Sequence, residues 1–134
     1  MSAQSERLKR RLAAVPKAVR EAVQPALVTS GNELATMMIR LAPKDTGALR
    51  DSITVTLPGQ ATPPYSQPGG SQVAGDNQVL ITAGDTDVRY PHLVEYGTAD
   101  TRAQPFFWPA YRLSKKRLSN RIKRAIRKAV KEAI

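Results

Sequence analysis

Apolar side chains recur at helical spacing toward both ends of this chain and alternate with polar ones in its middle. Leu8, Leu12, Val15, Val19 and Val23 step by three or four, with Lys and Arg between them. The pattern resumes at Leu34, Met37, Met38 and Leu41 and ends at Pro43. Ser2 or Ser5 is placed to cap this region. Pro16 and Pro25 fall inside it. Proline removes a helical N–H and crowds the preceding turn, so the N-terminal third is predicted as two or three helical pieces.

In the middle, Ser52-Ile53-Thr54-Val55-Thr56-Leu57 alternates as a half-buried strand does, and Val79 and Ile81 repeat the pattern within 78–83. A small antiparallel sheet is expected from about 51–57 and 78–90. Residues 58–77, between the strands, hold four Pro and four Gly and almost no large apolar side chain. Loops this long are uncommon inside compact domains and are often functional. The expectation is a flexible hairpin arm that reaches a neighbour and orders only against it.

From Pro109 onward Leu118, Ile122, Ile126, Val130 and Ile134 keep a strict four-residue step. Ala125, Ala129 and Ala133 widen the stripe, and Lys and Arg fill the remaining faces. This predicts a long basic amphipathic helix from about residue 107. The fold class is therefore α+β: N-terminal helices, a small antiparallel β-sheet with a long hairpin loop, a short helix at 91–96 and the C-terminal helix. Residues 1–134 are expected as one domain, with a helical arm at 1–42, a β-rich core at 43–111 and the basic helix at 112–134.

Composition narrows the picture. With 134 residues and no cysteine, a disulfide scaffold and a thiolate metal site are excluded. No apolar run approaches the roughly 20 residues of a membrane span, and the N-terminus lacks a signal-peptide core, so a product used without export or membrane insertion is expected. The net charge of +10 is uneven. Residues 1–42 carry seven Lys/Arg against three acids, residues 43–111 four against seven, and residues 112–134 ten against one. Such a distribution suits nucleic-acid contact. It equally suits one subunit's arm lying on a neighbour's body.

The aromatic residues concentrate at 90–111, which holds both Phe, the Trp, the His and three of the four Tyr. Pro91 suits the first position of a short helix and Gly97 a left-handed residue beyond its end. Pro105 and Pro109 flank an anchor of Phe106, Phe107 and Trp108, whose large rings belong where the core closes.

This stretch carries a resemblance. Tyr-Pro-His-Leu-Val-Glu-Tyr-Gly-Thr (90–98) followed by Ala-Gln-Pro-Phe-Phe-Trp-Pro-Ala (103–110) resembles the second signature of the gene-product-ten-like family of lambdoid siphophages. Its members are called neck, head–tail connector or tail-completion proteins. Ala-Pro-Lys-Asp-Thr-Gly-Ala-Leu-Arg-Asp-Ser-Ile (42–53) resembles the first. The resemblance implies a non-enzymatic structural protein of the virion, assembled in the host cytoplasm and placed at the head–tail junction. It implies a homo-oligomeric ring, six copies by tail symmetry. Neighbouring neck and tail proteins (head-closure protein, tail terminator or tube) would be its partners, with DNA passing through the channel. The motif positions are Pro43, Asp45, Thr46, Gly47, Leu49, Tyr90, Glu95, Tyr96, Gly97, Thr98, Pro105, Phe106, Trp108 and Pro109. The alternative is a nucleic-acid-binding protein that uses the basic helix.

Catalytic readings gain no support. Asp45-Thr46-Gly47-Ala48 also marks aspartic proteases, but there the Asp follows an apolar strand, and here Pro43 and Lys44 follow a helix. A tight turn is preferred, with the Asp side chain capping the next amides and Gly47 left-handed. Asp85 and Asp87 read as a polar turn rather than a metal site, and His92 alone is no metal site. No nucleophile elbow or phosphate loop is present. No catalytic, cofactor or metal residue is assigned. Arg121, Arg124, Arg127 and Lys128, with Lys123 and Lys131, form a candidate charged interface. Cations lining a channel would slow DNA, so they are expected mostly to face a neighbouring protein or the outer surface, with Asp85, Asp87, Glu95 and Asp100 as candidate partners.

Overall fold

The computed structural model describes residues 16–43 and 47–133. Helix α1 spans Pro16–Leu41, α2 Ala48–Asp51, α3 Pro91–Tyr96 and α4 Phe107–Ala133. Strands β1 (Thr54–Thr56) and β2 (Leu80–Thr82) pair antiparallel, with Val55 opposite Ile81. The α+β class holds.

The two long helices form the frame. Glu33 reaches Arg117 and Arg121, and Ser30, earlier in α1, also meets Arg121, so α1 and α4 run in opposite directions. Between them and the sheet lies a core that includes Met38, Leu49, Val88, Phe106, Ala110 and Leu118. Leu8, Leu12 and Val15 lie outside the described residues.

Pro25 does not break α1, contrary to the sequence expectation. Val23 before it, and Leu34, Ala35 and Met38 after it, are all buried, so packing holds both halves on one course. Pro25 and Glu21 are exposed. The Glu21 carbonyl that loses its intrahelical partner thus lies on the side where water replaces it.

The stripe on α4 also departs from expectation. A four-residue step advances about 40° beyond a full turn each time on a helix of 3.6 residues per turn. Leu118 is buried, but Ile126 and Val130 have rotated into solvent, and Ala129 takes the inward position. Ile134 lies outside the described residues.

The strands are shorter than expected. Residues 51–53 belong to α2 and its end, and 85–88 to a turn in which the Asp85 carboxylate accepts from the Asp87 and Val88 amides. Val55 and Ile81 face α1, where Gly31 lies against them. Thr56 and Thr82 point the other way and are buried too.

Residues 58–77 are folded against the sheet edge, which corrects the expectation of a flexible arm. The stretch folds back on itself through paired bonds: Thr62 N donates to Gln72 O at 2.7 Å and Ala74 N to Gln60 O at 2.8 Å. It then joins the sheet edge through Gln67 and Ala83, each donating to the other at 2.9 and 3.0 Å. Ser66 is fully buried, and Thr62 and Ala74 nearly so. Tyr65 stays exposed at a positive φ of 62°, its ring covered by the Arg89 guanidinium at 3.8 Å.

Candidate assembly surface

The site is built around the entry to α4. Pro91 opens α3 without needing a helical N–H, and Gly97 closes it, its amide donating to Leu93 O. Gly97 has φ 77° and ψ 175°, a positive φ with an extended ψ rather than the left-handed helical conformation. A Cβ there would lie 2.7 Å from Ala103 N, so no other residue fits. Thr98 Oγ1 then accepts from the Asp100 and Thr101 amides, and Gln104 N donates to Val94 O. Six residues of helix and one tight loop thereby return the chain under α3.

Glu95 is what the return delivers. Its side chain is buried, and the carboxylate accepts from Phe106 N and Phe107 N at 2.9 Å and from Trp108 N at 3.2 Å. The first amides of a helix have no intrahelical partner, and the positive end of its dipole favours an anion. Glu95 takes three of these amides. Pro109, next in line, has no N–H to satisfy.

The aromatic anchor sits on this cap. Phe106 is 1% exposed, Phe107 is buried and Trp108 half-buried. The rings of Phe106, Phe107, Trp108 and Tyr111 follow edge to face at 6.3, 5.0 and 6.1 Å. Trp108 Nε1 donates to the Tyr96 hydroxyl at 2.9 Å, while the Tyr96 residue is 70% exposed. A mainly apolar cavity of about 220 Å³ opens beside them, between Pro68, Pro91, Tyr96 and Phe107. His92 is exposed: its backbone amide donates to Gln67 Oε1 and its ring pairs with the same side chain, tying α3 to the folded loop.

The two sequence signatures meet. Pro43 and Leu49 from the first line a trough of about 410 Å³ with Tyr90, Leu93 and Thr98 from the second. Leu49 is buried, Gly47 is left-handed at φ 79°, and Asp45 and Thr46 lie outside the described residues. Ser52 fastens the junction, donating to Leu49 O at 2.7 Å and accepting from Gly84 N at 3.0 Å. Pro105 is exposed and follows Gln104, which lines the trough.

The charged candidates separate into two groups. Arg121 is half-buried and bound within the chain to Glu33 and Ser30. Lys123, Arg124, Arg127, Lys128 and Lys131 are exposed. Of their expected partners, Glu95 is buried in the helix cap and Asp85 is engaged in its own turn, so the acidic segment presents only Asp87 and Asp100. Sequence reasoning missed Glu33 and Gln67, and with them the internal use of Arg121 and the holding of α3. Neither has a local signal, since both partners lie far away in the chain.

Together these features define a structural module whose sequence motifs build a rigid, partly apolar surface. Residues 6–97 match the family described as "Bacteriophage HK97-gp10, putative tail-component", and the chain belongs to that family. It is a structural tail component of a tailed bacteriophage. The matched range takes in the first signature and Tyr90–Gly97 and stops short of the anchor and α4. Among curated proteins and solved structures, none matches the chain. No helix among the described residues is long and apolar enough to cross a membrane.

Proposed function

We propose that this chain is a non-enzymatic subunit of a closed ring at the head–tail junction of the virion, most simply of six copies, which contacts neighbouring neck and tail proteins. The supporting observation is the outer side of the helix-cap junction. Tyr90 and Leu93 are exposed there, around the trough where both signatures converge, and Tyr96 is exposed at the apolar cavity beside Trp108, although the backbone beneath is held by Glu95 and Gly97. A rigid apolar patch rimmed by polar residues is the surface expected of a protein contact. A head-to-tail contact between identical subunits closes into a ring when its rotation permits.

The test is assembly. Leu93→Asp with Tyr96→Asp alters exposed side chains and removes only the Trp108 Nε1 bond to the Tyr96 hydroxyl, so the subunit should fold. It should fail to enter particles, and micrographs should show heads and tails unjoined. Normal particles containing the double variant would remove this patch as the subunit contact and, with it, the reading.

A further inference from the structure

The outward side of α4 leaves a surplus of positive charge that copies of this chain do not neutralise. Arg112, Lys116, Lys123, Arg124, Arg127, Lys128 and Lys131 are exposed and have no ion-pair partner among the described residues. Among the described residues, the exposed carboxylates outside α4 are Glu21, Asp51, Asp76, Asp87 and Asp100, scattered over separate segments. Each further copy adds another +10. A head-to-tail neighbour therefore compounds the charge, and the counter-charge has to come from another kind of molecule.

The arrangement says which kind. Lys116, Asn120, Arg124, Arg127 and Lys131 follow one another at steps of three or four, which keeps them on a single stripe about 22 Å long. The stripe lies opposite buried Leu118 and Ala129, and part of it forms a shallow trough of about 620 Å³. Leu113 is the one large apolar side chain on it. Protein interfaces are depleted in lysine at their cores and gather aromatic anchors. This face carries Lys116, Arg124, Arg127 and Lys131 without an aromatic anchor, since the aromatic residues of α4 all lie in its first two turns, at Phe107, Trp108 and Tyr111. Mobile cations without an apolar centre suit a regular array of phosphates, which needs neutralisation rather than a shaped pocket.

We infer that the exposed stripe of α4 binds the backbone of double-stranded DNA without regard to sequence. The inference does not rest on the ring, because the charge argument holds for any number of copies. It reverses the expectation that these cations meet the chain's own acidic segment.

The experiment measures binding of the full chain to a labelled 30-base-pair duplex of mixed sequence by fluorescence anisotropy. Four phosphate contacts give a log–log salt slope of about −3.6, a loss of roughly 150-fold in affinity between 50 and 200 mM salt. Lys116→Gln, Arg124→Gln, Arg127→Gln and Lys131→Gln combined should flatten that slope and abolish binding at 100 mM salt, with the circular-dichroism spectrum unchanged. A control removing exposed cations elsewhere, Lys17→Gln, Arg40→Gln and Arg102→Gln, should keep the wild-type slope. Equal losses in both variants overturn the inference, because the binding is then net charge alone. A wild-type chain that ignores the duplex at 100 mM salt yet holds polyglutamate through the same four residues also overturns it, and makes an acidic protein the occupant.

Discussion

The Glu95 carboxylate lies 2.9 Å from the Phe107 amide, one residue inside the helix whose open end it closes. The two residues are twelve apart in sequence, and nearly all of that span is spent turning the chain back under α3. Removing the carboxylate leaves the amides of Phe106 and Phe107, which belong to buried residues, without acceptors. Glu95→Ala should cost about 2–4 kcal/mol, combining a lost cap with hydrogen bonds to a charged group. Glu95→Gln keeps the shape and one acceptor oxygen, so its loss should be smaller. Urea unfolding checks both. An Ala variant as stable as wild type would mean that α4 starts without this cap.

Gly31 decides a second case by magnitude. Alanine in a helix interior is ordinarily about 1 kcal/mol better than glycine. Here an added Cβ would stand 2.7 Å from Val79 Cγ1 and 3.3 Å from Val55 Cγ1. Both neighbours are β-branched and stiff, and overpacking costs about 1–3 kcal/mol. Gly31→Ala should therefore destabilise, and Val79→Ala added to it should recover part of the loss. A stabilised single variant would show that the sheet packs less closely on α1.

The anchor residues differ in depth and so in expected effect. Phe106 is buried and Trp108 only half-buried. Phe106→Ala should cost about 3–5 kcal/mol, the range for a buried aromatic, and Trp108→Ala clearly less. Equal losses in thermal melts would contradict the burial order.

Arg121 and Arg124 are neighbours on one helix with opposite fates. Arg121→Glu sets a second carboxylate against Glu33 and loses the Ser30 contact. The pair is partly exposed and correspondingly screened, so a loss of about 1 kcal/mol is expected. Arg124→Glu should leave the unfolding midpoint where it was. If the two reversals behave alike, Arg121 does not serve the α1–α4 packing.

These cases mark what was legible in the sequence. The short helix at 91–96, the start of α4 at Phe107 and the left-handed Gly47 follow from proline, glycine and apolar spacing, which act within a few residues. Pro25 and Ile126 were misjudged because packing overrides a local rule in one and helical drift accumulates over several turns in the other. The roles of Glu95, Glu33 and Gln67 were not legible at all. Each depends on a partner that only the folded chain brings near.

The loop at 58–77 gives the sharpest remaining contrast. A mobile arm is removable without harm to the subunit, and replacing 60–75 with a short Gly-Ser turn would then leave stability intact. The folded loop predicts otherwise. The replacement removes the buried Ser66 and Thr62, deletes both Gln67–Ala83 backbone bonds and frees His92. Several hydrogen bonds at about 1 kcal/mol each, with the exposed surface added, amount to at least about 3 kcal/mol. Gln67→Ala separates the contributions, since it keeps the backbone bonds and removes only the link to His92, for about 1 kcal/mol. Should the shortened chain unfold at the wild-type urea concentration while Gln67→Ala also has no effect, the loop is not part of the folded body.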